Sequence, residues 1–383
     1  MTTLKSREFL MIPGPTPVPD AVLEAIARHP IGHRTPDFSK ALKQCAQDLQ
    51  WLGETKNDVF VLTASGTAAL EMAIFNTVSP GDSVLCVVCG VFGERWAKMS
   101  TALGAKVDRL SAPAGQAVTV EALKQKLADD KEKKYKAVII THNETSTGVV
   151  QDVQNMLKVI RAHGALSIID TVTSFGAVPF PIDEWDADIV ATGSQKALML
   201  PPGLSMVFFG PRAWDAYKEC KTPRFYLDAA KYKKSMLDDT TPFTPNVSLT
   251  MGLQVSLQLM REEGKESIFA RHQRLRDLLR KGIKALNLEP FVDEDIASHT
   301  ITAIRPPEGI TVDSIRKGLK EKFRIIVADG QEELKGKIFR IGHMGYVFER
   351  DILMTLAALE SVLLDLGHKV EKGAAVAGAL ASR

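Results

Sequence analysis

The chain has 383 residues, 45% hydrophobic and 25% charged, with a formal net charge of +2. This length suits one large folding unit plus a smaller one, and the composition is that of an ordinary globular protein. The near-even charge balance gives no reason to expect nucleic acid or a charged membrane surface as partner, and no apolar stretch approaches the ~18 residues of a membrane span.

The start, Met-Thr-Thr-Leu-Lys-Ser-Arg-Glu, has no apolar signal core, and the end, Ala381-Ser382-Arg383, is not a peroxisomal address. The cytoplasm is the expected compartment. From about residue 58 to 210, strand-like apolar runs alternate with helical patterns. The runs are Val59–Leu62, Val84–Val88, Ala137–Ile140, Leu166–Ile169, Ile189–Ala191 and Leu204–Phe209. Continuous apolar runs suit a mostly parallel sheet covered on both faces. Val153, Met156, Leu157 and Ile160 recur at helical spacing before His163-Gly164 ends the pattern. Cys86 and Cys89 sit three apart in a strand-like run, so their side chains face opposite ways. They read as buried reduced thiols, and no metal-ligand spacing appears anywhere. The lysine clusters at 131–134 and 231–234 read as solvated faces.

After about residue 250 the texture changes. A charge-rich helical pattern runs from Leu249 to Lys284 with a break at Gly264. Thr300–Ile304, Arg324–Val327 and Lys337–Ile341 read as short strands. A final helix presents Ile352, Leu356, Leu359 and Leu363 on one face, and the tail from Gly373 is expected to fray. The expected division is an N-terminal arm (1–20), a large α/β domain (21–260) and a small α+β domain (261–383).

Lys196 is the only charged residue between Asp188 and Arg212. A desolvated lysine holds its proton weakly, which suits a Schiff-base nucleophile. A snorkelling lysine at a helix start is the alternative. Asp170 ends an apolar strand, where a buried carboxylate needs a positive partner such as a protonated pyridine nitrogen, or else serves as a helix N-cap. The two residues lie 26 positions apart, about one β-α-β step, which places both at the carboxyl edge of the sheet. Ser65-Gly66-Thr67 stands where a strand turns into a helix, a natural anion site or a plain N-cap. Arg340, inside an apolar strand, offers a fork for a carboxylate or a structural salt bridge. Phe92 could cover a flat ring or belong to the core.

Assembled, these residues resemble the class V aminotransferases of pyridoxal-phosphate (PLP) fold type I, above all the serine–glyoxylate and alanine–glyoxylate group. The resemblance runs from Pro13-Gly-Pro-Thr-Pro-Val-Pro and Gly32-His33-Arg34 through Ser65-Gly-Thr, His142-Asn-Glu-Thr-Ser-Thr-Gly148 and Asp170. It continues through Gly193-Ser-Gln-Lys-Ala197, Thr241-Pro-Phe-Thr-Pro245 and Phe339-Arg-Ile-Gly-His343. It implies that Lys196 binds the cofactor covalently and moves the proton, and that Asp170 pairs with the pyridine nitrogen. Ser65, Gly66, Thr67 and Gln195 hold the phosphate, helped by Thr244 from the facing subunit of a homodimer. Phe92 stacks on the ring, Thr145 lies beside its hydroxyl edge, and Arg340 grips the substrate carboxylate. Thr67 departs from mammalian alanine–glyoxylate enzymes, which carry histidine there. The implied reaction moves the amino group of serine or alanine to glyoxylate. The rivals are another donor (aspartate or phosphoserine, with His33 and Arg34 as extra cations), a PLP lyase, and a non-catalytic subunit. A desulfurase needs a mobile cysteine in the second domain, and no cysteine follows Cys220.

Overall fold

The structure is a computed structural model that describes residues 7–381. The expectations about targeting signals at Met1–Ser6 and at Ser382-Arg383 fall outside the described residues. In chain order come strand β1 (Phe9–Leu10) and helices α1 (Asp20–Ala27) and α2 (Pro36–Leu52). Strands β2 (Asp58–Leu62), β3 (Ser83–Val88), β4 (Lys106–Ser111) and β5 (Tyr135–Thr141) alternate with helices α3 (Gly66–Phe75), α4 (Val91–Ala102) and α5 (Val120–Asp129). A short hairpin, β6 (Asn143–Glu144) and β7 (Val149–Val150), leads to α6 (Val153–His163), β8 (Leu166–Asp170), β9 (Ile189–Gly193) and β10 (Ser205–Phe209). Helices α7 (Pro211–Glu219), α8 (Ala229–Met236), α9 (Val247–Glu263) and α10 (Lys265–Ala285) follow. The remainder holds β11 (Ile301–Ile304), α11 (Val312–Phe323), β12 (Ile325–Ile326), β13 (Ala328–Asp329), β14 (Phe339–Gly342), α12 (Glu349–Asp365) and α13 (Ala374–Leu380).

The central sheet has seven strands in the order β2-β10-β9-β8-β5-β3-β4. All pairs are parallel except those of β10, which runs antiparallel to both β2 and β9. The period of two along each strand feeds two cores. Val138, Ile140, Ile169 and Val190 pack on one face; Ala137, Ile139, Ile168 and Ala191 pack on the other. This is the α/β fold expected from the unbroken apolar runs.

A third core lies under the antiparallel sheet β11-β14-β13. Ile352, Leu356, Leu359 and Leu363 of α12 meet Leu279 and Ile283 of α10 and Phe339 and Ile341 of β14 there. Gly164 and Gly264 end α6 and α9 with positive φ, as their positions predict.

Four expectations need correction. Lys106–Ser111 is a strand that the apolar pattern did not show, because an edge strand pairs on one side only and tolerates the charges of Lys106, Asp108 and Arg109. Arg324–Val327 is not one strand: Arg324 adopts a left-handed helix cap, β12 pairs with β1, and β13 pairs with β14. The link from β8 to β9 holds no helix; Gly176 at positive φ, Pro179 and Pro181 break any helical run, and turns fill Thr171–Asp188 instead. The tail does not fray but forms α13, whose small residues Ala375 and Ala379 are buried. Small side chains let it approach α10 closely; a Cβ on Gly378 would lie 2.3 Å from Ala285 Cβ.

Gly342, at the end of β14, donates its N–H to Met11 O at 2.9 Å. A Cβ there would lie 2.1 Å from the Ile12 carbonyl oxygen, so backbone would have to move. Gly342→Ala is expected to destabilise the fold by ~1–3 kcal/mol, read as a lower urea midpoint. An unchanged midpoint would show that the arm yields freely.

Candidate active site

Two reversals bring the strand ends together. Because β10 opposes both β2 and β9, β2 runs the same way as β9, β8, β5 and β3. Their carboxyl ends form one edge, the place where open α/β sheets bind ligands. Ser65, Gly66 and Thr67 follow β2, Phe92 follows β3, and Thr145 follows β5. Asp170 ends β8, and Gln195 and Lys196 follow β9. All eight line one cavity of about 220 Å³.

Lys196 is projected by a tight turn in which its own carbonyl accepts the Met199 N–H at 3.0 Å and the Thr16 hydroxyl at 2.9 Å. Its Nζ donates to the Pro13 carbonyl at 2.5 Å rather than reaching solvent, which disposes of the snorkelling alternative. Gly14 closes over the side chain: a Cβ there would stand 2.6 Å from Nζ, and the residue holds φ +134°. Burial, then the positive charge of Arg340, lowers the amine to about 8 against an ordinary 10.5; Asp170 opposes this and Arg95 adds to it.

Asp170 is buried and its Oδ1 accepts the Val172 N–H at 2.9 Å. It caps no helix, and its carboxyl forms no ion pair among the described residues. Burial pushes it up to about 6, the Val172 N–H pulls it down, and the Glu144 carboxylate pushes it up further. This is a carboxylate short of a cation.

Ser65 occupies the N-cap position of α3, but its side chain makes no capping bond, so the plain N-cap reading fails. The hydroxyl and the first N–H groups of α3 are left for an anion. Gln195 Oε1 and Thr141 Oγ1 are buried beside the cavity with no hydrogen-bond partner among the described residues. Gly193 lets Gln195 and Gly66 close in: a Cβ there would stand 3.1 Å from Gln195 Oε1 and 3.5 Å from Gly66 Cα.

Arg340 does not line the cavity but reaches its rim, donating from Nη1 to the Thr145 carbonyl at 2.8 Å. Nε and Nη2 donate to the Asp329 carbonyl at 2.9 and 2.7 Å, and Nη1 also to Gln331 Oε1 at 3.1 Å. It forms no ion pair among the described residues, so the structural salt bridge is not its role. Neutral acceptors orient the guanidinium, and the Glu144 and Asp329 carboxylates act on its charge only without direct contact. A two-bond grip on a carboxylate requires one of these acceptors to let go, and Gln331 is the only side chain among them.

Thr244 is exposed and outside the cavity of its own chain. Cys220 bonds the Phe75 and Val78 carbonyls, at the far end of α3 from Ser65. Arg95, Thr173 and Asn143 line the cavity without having been singled out from sequence. Arg95 carried a usable signal, since it stands three residues after Phe92 on one helical face; its guanidinium lies 4.6 Å from the Phe92 ring centre. Thr173 had none: it bonds Thr145 Oγ1 at 3.0 Å only because the β8–β9 link folds back on the hairpin.

A lysine and an aspartate buried together at the carboxyl edge of a mostly parallel sheet define a pyridoxal-phosphate fold of type I. The Aminotransferase class-V family matches residues 9–347, and the chain belongs to that family. A curated relative from Anabaena cylindrica, called soluble hydrogenase 42 kDa subunit, is 49% identical over 373 residues, covering 97% of each chain. The L-aspartate–glyoxylate aminotransferase of Paracoccus denitrificans is 36% identical, over 98% of this chain and 96% of that one. The crystal structure of alanine–glyoxylate aminotransferase from Nostoc sp. matches with a TM-score of 0.90 at 30% identity, over 95% of this chain and 97% of that one.

The cofactor is pyridoxal phosphate, and the residues present fit it. Among the described residues Asp170 forms no ion pair, Gln195 Oε1 and Thr141 Oγ1 have no hydrogen-bond partner, and the start of α3 is open to an anion. Lys196 supplies a buried amine whose proton affinity is lowered to about 8.

In the cofactor-free protein, adduct formation with pyridoxal phosphate is expected to rise with pH through about 8, followed by visible absorbance. Arg340→Ala should move that midpoint up, by removing a nearby positive charge, and Asp170→Asn should move it down. A profile still climbing near 10, the range of an ordinary lysine, would contradict the desolvated amine.

Proposed function

We propose that this chain transfers the amino group of serine or alanine to glyoxylate, giving glycine and hydroxypyruvate or pyruvate. The observation that carries the reading is the desolvated Lys196 amine sharing one cavity with the buried Asp170, beside an arginine that forms no ion pair among the described residues. Glyoxylate as acceptor is supported by the names of the Paracoccus and Nostoc proteins.

In this reading Ser65, Gly66, Thr67 and Gln195 hold the phosphate, Phe92 covers one face of the ring, and Thr145 borders its hydroxyl edge. Pyridoxal phosphate supplies an aldehyde for the donor amine and an electron sink for its α-carbon. Asp170 keeps a proton on the ring nitrogen. Lys196 Nζ would take and hold the proton of the donor's α-carbon. Arg340 orients donor and acceptor by the carboxylate they share. The same residues serve both halves of a ping-pong cycle.

Two other readings each have an observation behind them. An aspartate donor is favoured by Arg95, a cavity cation that forms no ion pair among the described residues. A non-catalytic subunit is favoured by the name of the Anabaena relative. We further propose a two-fold homodimer with shared sites, in which Thr244 reaches the partner's phosphate. Phe225 (72% exposed) packs its ring 5.8 Å from that of Phe243, next to Thr244, and Leu237 (81% exposed) lies seven residues before Thr244; exposed apolar side chains of this kind suit an interface. A division into 1–20, 21–260 and 261–383 and a cytoplasmic location complete the proposal. Among the described residues no helix is long and apolar enough to cross a membrane.

Borohydride reduction followed by peptide mass spectrometry is expected to find the pyridoxyl group on Lys196; an adduct elsewhere or none supports the subunit reading. Steady-state assays of serine, alanine and aspartate against glyoxylate and pyruvate then decide the donor. Arg340→Ala should raise KM for donor and acceptor alike by ~10–100-fold, the value of a lost charge-assisted contact. Unchanged KM values for both acids would remove Arg340 from the site.

A further inference from the structure

Glu144 is wholly buried, yet it forms no ion pair among the described residues. Its carboxylate is held by N–H and O–H donors instead. Oε2 accepts the N–H of Phe92 and of Gly93, each at 3.1 Å, and Oε1 accepts the Ser146 N–H at 3.1 Å and the Ser146 hydroxyl at 2.5 Å. The Ser146 hydroxyl oxygen in turn accepts the Val91 N–H at 3.0 Å. The first turn of α4 is therefore gripped by a side chain from another element, where its unpaired N–H groups and positive dipole end favour an anion. Gly90 makes this possible, since a Cβ there would stand 2.4 Å from Ser146 Oγ and 2.5 Å from Glu144 Cγ. Gly93 lets the same turn lie against β3, with a Cβ position only 2.9 Å from the Val87 carbonyl oxygen.

The same hairpin faces the other side of the site. Thr145, the next residue, offers its carbonyl to Arg340 Nη1 at 2.8 Å and its hydroxyl to Thr173 at 3.0 Å. One short turn between β6 and β7 thus touches both Phe92 and Arg340, which are supplied by elements far apart in sequence.

We propose that Glu144 is a positioning residue that sets the Phe92 face of the site and the Arg340 guanidinium in register with each other. The proposal rests on the reading above, in which Phe92 covers the cofactor ring and Arg340 takes the substrate carboxylate. The carboxylate is required as such, because each oxygen accepts from at least two donors. In Glu144→Gln the amide NH2 must face the backbone N–H groups of Phe92 and Gly93 or that of Ser146, donor against donor, and only the Ser146 hydroxyl can turn to accept. Shape is kept, but half of the grip is lost.

The test uses the full-length protein and Glu144→Gln, with Ser146→Ala as a milder second variant that removes the hydroxyl bridge to Val91. Affinity for pyridoxal phosphate is measured by titrating the cofactor-free protein and following visible circular dichroism. Amide hydrogen exchange is followed at Val91–Gly93, and KM and kcat are measured for donor and acceptor. Glu144→Gln is expected to bind the cofactor about tenfold more weakly and to raise both KM values more than it lowers kcat. Faster exchange should be confined to the first turn of α4 and the 143–150 hairpin, with the central sheet still protected. Should Glu144→Gln fail to fold, Ser146→Ala decides, with the same pattern at smaller size. Borohydride trapping on Lys196 in the wild-type protein tests the functional reading separately. With that trap positive, wild-type cofactor affinity and wild-type exchange at Phe92 and Gly93 in the variant overturn the proposal.

Discussion

An amine can attack a carbonyl only through a free lone pair, and a lysine in water at neutral pH almost never offers one. In the proposed reading the site is organised around removing that obstacle at Lys196. Apolar strands surround it, the Pro13-Gly14 segment crosses its side chain, and Arg340 adds a repelling positive charge. The parts come from distant stretches of chain. The arm that carries Pro13 is held by pairing of β1 with β12 and by the Met11 carbonyl on Gly342, two residues beyond Arg340. The small antiparallel sheet therefore does two things at once: it anchors the lid over the amine and delivers the guanidinium that lowers its proton affinity.

Charge is handled differently on the two edges of the central sheet. At the amino-terminal edge the buried Asp188 has Arg212 at 3.0 Å, Arg161 at 3.2 Å and the Ser167 N–H at 2.8 Å, a fully occupied structural carboxylate. At the carboxyl edge Asp170, Glu144 and Arg340 have no ion-pair partner among the described residues. Glu144 is satisfied by N–H and O–H groups, Arg340 by carbonyls, and Asp170 by one N–H. Burying an uncompensated charge costs stability. Of the two edges of the central sheet, the one that borders the cavity carries that cost.

The unbroken apolar runs of β3, β5, β8 and β9 were legible because a strand buried on both faces has no polar face to show. Edge strand β4 was hidden for the opposite reason. Lys196 and Asp170 stood out as lone charges in apolar sequence, and both reach the cavity. Glu144 and Thr173 carried no such signal: each lies in a polar stretch, and its importance comes from what folds against it. The tail from Gly373 looked too small-residue-rich to order, yet that smallness is what lets α13 nestle against α10.

Sequence alone determined the sheet, its two-faced burial and the strand ends that would bear chemistry, because periodicity and isolated charges are local properties of a chain. It also supplied the family, through motifs spread from Pro13 to His343. Only the tertiary structure decided how those pieces combine. It showed that the Arg340 guanidinium is oriented by neutral carbonyls, that the arm closes over Lys196, and that one hairpin links Phe92 to Arg340. These are contacts between residues 50 to 200 positions apart, and their geometry follows from packing, which no local pattern encodes.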